Sequence, residues 1–139
     1  MDPAQRQTAE RQLLAVLVSL GIALTLHLAG VGSTILNLVR EAMDPNGIFT
    51  LVGGSLTDYE AGERVGRATA YFVAGAYSVL GLVWIPITIY GVHTRKPWGR
   101  TSALAYYATT IPTCCCTVIG GYGLYALMRA DVKQLFEER

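Results

Sequence analysis

The residue with the clearest chemical potential in this 139-residue sequence is His27, which lies in the middle of a long stretch without charged residues. An ionisable side chain is costly inside a membrane and usually has a function there. Ala23 precedes His27 by about one helical turn and Gly30 follows it by about one turn, so a flat macrocycle would find space beside the imidazole. His27 is therefore interpreted as a hydrogen-bonding residue between helices, as an axial ligand of a tetrapyrrole, or as a group that handles protons or ions.

The five residues Ala23-Leu24-Thr25-Leu26-His27 resemble the Ala-x-x-x-His pattern of bacterial light-harvesting polypeptides. This resemblance implies a bound pigment with His27 as its axial ligand, and haem is another tetrapyrrole that an imidazole can hold. His93 falls at the predicted end of the second helix. In an antiparallel arrangement it would lie beside the N-terminal end of the first span, roughly 20 Å from His27 by the rise of the first helix. We therefore do not expect one site that uses both histidines.

Other residue types that carry chemistry do not form a recognisable site. The three cysteines are consecutive, Cys114 to Cys116, and neighbouring side chains on a helix point too far apart to share a metal ion or an easy disulfide. The sequence shows no nucleophile with its base, no paired carboxylates and no phosphate-binding loop. A net charge of +1 without a basic stripe argues against nucleic acid as a partner. The expectation is a non-enzyme without catalytic residues or a metal site.

The elements that position these residues follow from the distribution of charge. Only 15% of the residues are charged, against about a quarter in soluble domains. All charges lie outside three windows of 28, 27 and 28 residues, namely Gln12–Val39, Ala68–Thr94 and Thr101–Met128. A helix of roughly 28 residues is about 42 Å long, which is enough to cross a bilayer. The predicted fold is an all-α integral membrane protein with three transmembrane helices and an amphipathic C-terminal extension, in one domain over 1–139.

Helix boundaries follow from local signals. Pro3 suits the first position of a helix that would end near Met43, before the turn signal Asp44-Pro45-Asn46-Gly47. The capping box Thr57-Asp58-Tyr59-Glu60 predicts a second helix from about Asp58 to about His93. The predicted spans are 12–39, 68–93 and 101–128, the first loop is 44–57, the second loop is 94–100 and the interfacial tail is 129–139.

Two connecting segments have apolar faces of their own. The patch Ile48–Val52 in the first loop is too short to span, so residues 48–57 are either interfacial or re-entrant. In the tail, Val132, Leu135 and Phe136 share one helical face, which would lie on the membrane or on a partner.

Helices in lipid associate through small residues and polar contacts rather than through hydrophobicity. Each predicted span carries one stripe of such residues, and three stripes facing each other would form a compact bundle. The predicted helix-packing residues are Ser19, Ala23 and Gly30 in the first span, Ala74, Ser78 and Gly81 in the second, and Gly120 and Gly123 in the third.

The densest basic cluster lies in the second loop, at Arg95, Lys96 and Arg100. Short loops rich in Lys and Arg stay on the cytoplasmic side, so this loop and the N-terminus are placed in the cytoplasm at a cell (inner) membrane. The run Arg95-Lys96-Pro97-Trp98 is similar to the tight loops of many small multi-pass bacterial proteins.

The functional expectation is a small non-enzymatic structural or accessory subunit of the membrane. It would pack with itself or with a larger membrane protein complex, because three helices leave much surface for lipid and partners. One alternative is a tetrapyrrole-binding subunit that uses His27. The other is a homo-oligomeric channel with Thr and Ser side chains lining its pore.

Overall fold

The computed structural model describes residues 2–44, 47–48, 58–111 and 117–137. Helices account for 93% of these residues, and the described part of the chain contains no strand. The helices are α1 (Pro3–Met43), α2 (Asp58–His93), α3 (Pro97–Thr110), α4 (Thr117–Met128) and α5 (Ala130–Glu137).

The two long helices, α1 and α2, agree with the predicted bounds. Both are long and apolar enough to cross a membrane. Pro86 lies inside α2, and the helix continues through it. The predictions for residues 49–57 and for Cys114 to Cys116 fall outside the described residues.

The chain between α2 and α4 differs from its prediction in two ways. α3 begins at Pro97, inside the predicted second loop, because proline is well suited to the first turn of a helix. The segment 101–128 was predicted as one helix, but it is divided between two separate helices, most of α3 and all of α4. The Arg100 guanidinium donates a 2.9 Å hydrogen bond to the Leu127 carbonyl, although 27 residues of continuous helix would separate these groups by about 40 Å.

The chain divides into two compact units. One consists of 1–24 together with 83–139, and the other consists of 25–82. The smaller unit, 25–82, contains an antiparallel pair formed by parts of α1 and α2. His27 is in close contact with Gly81, and Thr34 is in close contact with Gly75. Positions nearer the C-terminus of α1 therefore meet positions nearer the N-terminus of α2, which makes the two segments antiparallel.

The larger unit contains a core to which all five helices contribute. α1 supplies Ala9, Leu13, Val16 and Leu20, whose steps of three and four residues place them on one face. The remaining core residues are Ile85, Val92, Ala103, Tyr106, Tyr107, Ala126, Leu127, Val132, Leu135 and Phe136.

The C-terminal helix α5 packs on the protein itself. Val132, Leu135 and Phe136, the three residues predicted to share a face, are all buried in the core of the larger unit. Their apolar surface is therefore covered by the chain, not by the membrane or partner that the sequence had suggested. α5 contacts both α3 and α4.

Candidate functional site

His27 lies in a notch between α1 and α2. Only 7% of the residue is exposed, and its imidazole rests against Gly81, where any Cβ atom would overlap the ring. The ring of Tyr77 lies beside it, with centroids 5.1 Å apart. A macrocycle on this imidazole would have to occupy space that the α2 backbone and Tyr77 now fill. Helix packing accounts for this arrangement, and tetrapyrrole ligation stays a prediction.

The small residues predicted in α1 and α2 contribute unequally to the pair in unit 25–82. Gly30 faces Ser78, and a Cβ at Gly30 would lie 2.7 Å from the Ser78 hydroxyl. Ala74 is exposed, and its neighbour Gly75 is the residue that faces Thr34. The small residues of α2 that contact α1 in this way are therefore Gly75, Ser78 and Gly81.

In the larger unit, the predicted packing residues converge on Tyr107. Its hydroxyl donates to the Val16 carbonyl at 3.2 Å and shares a short hydrogen bond with the Ser19 hydroxyl. The ring lies over Gly123, and the adjacent Gly120 packs against Thr110. Ala23 is partly buried against the same core. Gly120 and Gly123 thus pack α4 onto α3, whereas the sequence predicted that the stripe of the third span would face the stripes of the first two spans.

A polar cluster around Glu41 was not identified from the sequence. The Glu41 carboxylate accepts hydrogen bonds from the Arg67 guanidinium at 3.2 Å, the Tyr71 hydroxyl at 3.5 Å and the backbone N–H of Ile48 at 3.1 Å. The available signal was the placement of Glu41 and Arg67 just outside the facing ends of the first two charge-free windows. A cleft of about 210 Å³ adjoins the cluster and is lined by Asn37, Arg40, Glu41, Asp44 and Tyr71.

A second polar cleft lies where α5 begins. Arg129 holds Asp131 through two hydrogen bonds, of 3.0 and 2.9 Å. These bonds, and another from the backbone N–H of Val132, hold the pKa of the Asp131 carboxyl below its usual value, although partial burial acts in the opposite direction. The cleft has a volume of about 360 Å³ and is lined by Gln5, Arg129, Ala130, Asp131 and Gln134.

Among the residues that the structure describes, no group of three or more His, Cys, Asp or Glu side chains could hold a metal ion. The chain matches no protein-family model, and the searches of curated proteins and of solved structures found no significant match.

Proposed function

We propose that this protein is a small integral membrane subunit without catalytic activity, which packs with copies of itself or with a larger membrane protein complex. The observation that carries the proposal is the exposure of its most apolar helix segments. The most apolar windows of α1 and α2 have mean hydropathies of 2.2 and 1.9, yet only 22% of each window is buried.

This combination favours a bilayer over the core of a soluble protein as the surroundings of the two helices. A helix that is apolar all round belongs in the centre of a large protein or in a bilayer. Here the outward surface includes Leu36 at 70% exposure and Phe72 at 77%. Contact of this surface with hydrocarbon has no cost in free energy, whereas contact with water is unfavourable.

The basic residues that surround α3 support an orientation. Arg95, Lys96 and Arg100 lie in or beside the tight turn between α2 and α3. Arg95 also pairs with Glu10 of α1 at 3.1 Å, which ties the turn to the N-terminal part of the chain. We place this end of the larger unit in the cytoplasm, at the inner membrane of a cell.

The first experiment tests membrane insertion. The full chain is expressed in a bacterial host, and its membranes are washed with alkaline carbonate and then with urea. A membrane-spanning protein stays in the pellet until detergent is added. Release into the wash, followed by a monodisperse peak in buffer without detergent, would refute insertion.

The second experiment tests the accessory role. The tagged chain is purified in a mild detergent from the cells that naturally produce it, and light scattering and mass spectrometry identify what migrates with it. A stoichiometric membrane protein partner, or a defined homo-oligomer, is expected. A lone monomer would exclude both forms of the proposed packing.

A further inference from the structure

The path of the chain after α2 is set by contacts between successive helices. Gly91 of α2 touches Gly99 of α3, and Thr88 bonds to Ser102 at 2.7 Å. Positions nearer the N-terminus of α2 therefore contact positions nearer the C-terminus of α3, so the two helices are antiparallel. The Trp84 indole N–H also donates to the Ser102 hydroxyl at 2.8 Å.

α4 then runs back along α3. A Cβ at Gly120 would lie 2.7 Å from the Thr110 hydroxyl, and Gly123 is covered by the ring of Tyr107. Further along, Arg100 binds the Leu127 carbonyl at 2.9 Å. The end of α4 therefore lies beside the first turn of α3.

The lengths of α3 and α4 determine whether either helix can cross a bilayer. α3 has 14 residues and α4 has 12, so they are roughly 21 and 18 Å long. The hydrocarbon core is about 30 Å thick. Neither helix crosses it, and because they are antiparallel their lengths do not add.

The helix α5 begins on the side where the α3–α4 pair began. Gln5 from the start of α1 lines the same cleft as Arg129, Ala130 and Asp131 at the start of α5. Within the larger unit, the N-terminal turns of α1, the turn at Arg95 and α5 therefore share one end.

From these contacts we infer that α3 and α4 form a re-entrant helical pair. It enters the bilayer from the side that holds the N-terminus and returns to that side, so that only α1 and α2 cross. The inference rests on the proposed membrane location. Its partner is the acyl-chain layer of a single leaflet, which would meet the exposed surface of α4 at Val118, Tyr122 and Tyr125.

The distribution of positive charge supports this topology independently. Three spans would leave five Lys and Arg residues on the N-terminal side and six on the other. With two spans and a re-entrant pair, eight lie on the N-terminal side and only Arg40, Arg64 and Arg67 lie on the other. Cytoplasmic loops carry the excess of Lys and Arg, so the side with both termini is the cytoplasmic one. The eight residues are Arg6, Arg11, Arg95, Lys96, Arg100, Arg129, Lys133 and Arg139.

Labelling of single cysteines tests the inference in the full chain. Cys114, Cys115 and Cys116 are changed to serine, and one exposed position is then made cysteine in each variant: Gln7→Cys, Gly62→Cys or Gln134→Cys. Each is treated with a membrane-impermeant maleimide in right-side-out and in inverted vesicles. Gln7→Cys and Gln134→Cys should react at least tenfold faster in inverted vesicles, and Gly62→Cys should show the reverse preference.

Reaction of Gln134→Cys in the same vesicles as Gly62→Cys would overturn the re-entrant pair in favour of three spans. The carbonate wash separates this failure from failure of membrane insertion, because a three-span protein also resists the wash. Should the serine background not fold, fluorescent-protein fusions at the N-terminus and at the C-terminus of the natural sequence compare the sides on which the two ends lie. Fluorescence from both fusions is expected, and fluorescence from only one of them would overturn the inference.

Discussion

Gly81 determines how closely α2 approaches His27. Replacing this glycine with alanine adds a Cβ that overlaps the imidazole, whose ring is already held against Tyr77. Overpacking of this kind costs about 1–3 kcal/mol. We expect Gly81→Ala to lower the unfolding midpoint in detergent, as measured by circular dichroism.

Gly32→Ala is the matched control, since a Cβ at Gly32 meets nothing within 4 Å. The double variant His27→Ala/Gly81→Ala removes the ring and should recover part of the loss, because contacting residues couple. An equal midpoint for Gly81→Ala and Gly32→Ala would show that His27 does not occupy this notch.

The Tyr107 hydroxyl links α3 to α1. Tyr107→Phe keeps the ring on Gly123 but removes the bonds to Val16 and Ser19. A buried hydrogen bond contributes about 0.5–1.5 kcal/mol, so the free energy of unfolding should fall by about that amount. Tyr122→Phe, at a position that is 46% exposed, should change it little. Equal stability of the two variants would contradict the contact.

Sequence reasoning identified several individual contact residues but not the residues that they contact. His27, Gly81 and Ser19 were expected at helix interfaces, and each lies at one. The partners of Tyr107 could not be predicted, because a phenol can serve many roles in an apolar helix. Glu41 was overlooked because its bond to Arg67 joins residues 26 apart in the sequence, and no local pattern encodes that separation.

The helices α2 and α3 approach each other backbone to backbone at Gly91 and Gly99. A Cβ at Gly99 would lie 2.6 Å from the Gly91 Cα, and a backbone atom cannot turn aside as a side chain can. Gly99→Ala should therefore destabilise the protein by about 1–3 kcal/mol. Gly121→Ala, where a Cβ meets nothing within 4 Å, should leave the unfolding midpoint near that of the parent. A tolerated Gly99→Ala would argue against this close crossing.

The stability of the first turn of α5 should depend on pH through Asp131. Because Arg129 lowers the pKa of the folded carboxyl, this pair stabilises α5 above the usual pKa of about 4 and loses its effect as the pH falls through the lower folded value. Hydrogen exchange of residues 130–137, corrected for the intrinsic rate, should show constant protection from pH 7 to about 5 and less protection below about 4.

Asp131→Asn should have lower protection at neutral pH and little change on acidification. If the variant follows the same pH profile as the parent, another group controls the pH dependence of α5.

The helices themselves were partly predictable. Turn and proline signals predicted both ends of α1, a capping box predicted the start of α2, and these bounds are confirmed. The pair α3 and α4 was not predicted, because an unbroken window of 28 charge-free residues has the same hydropathy whether the chain crosses or turns back. The contacts that show α3 and α4 to be antiparallel, such as that of Arg100 with Leu127, depend on particular side chains and have no hydropathy signature.

For the whole molecule, the two tryptophans provide a measure of depth in the bilayer. Trp98 lies at the start of α3, whereas Trp84 lies roughly 14 Å before the end of α2 by helical rise. In liposomes, fluorescence of the Trp84→Phe variant should be quenched best by lipids labelled near the headgroup. The Trp98→Phe variant should be quenched best by lipids labelled deeper in the chain. The same quencher preference in both variants would contradict the proposed insertion of α2.

The cleft shared by Gln5 and the start of α5 has a practical consequence. Gln5 and Gln134 line the same cleft, so cysteines introduced at these two positions are close enough for a short bifunctional reagent to join them. Such a cross-link would tether α5 to the beginning of α1 and would hold the two helices together during unfolding.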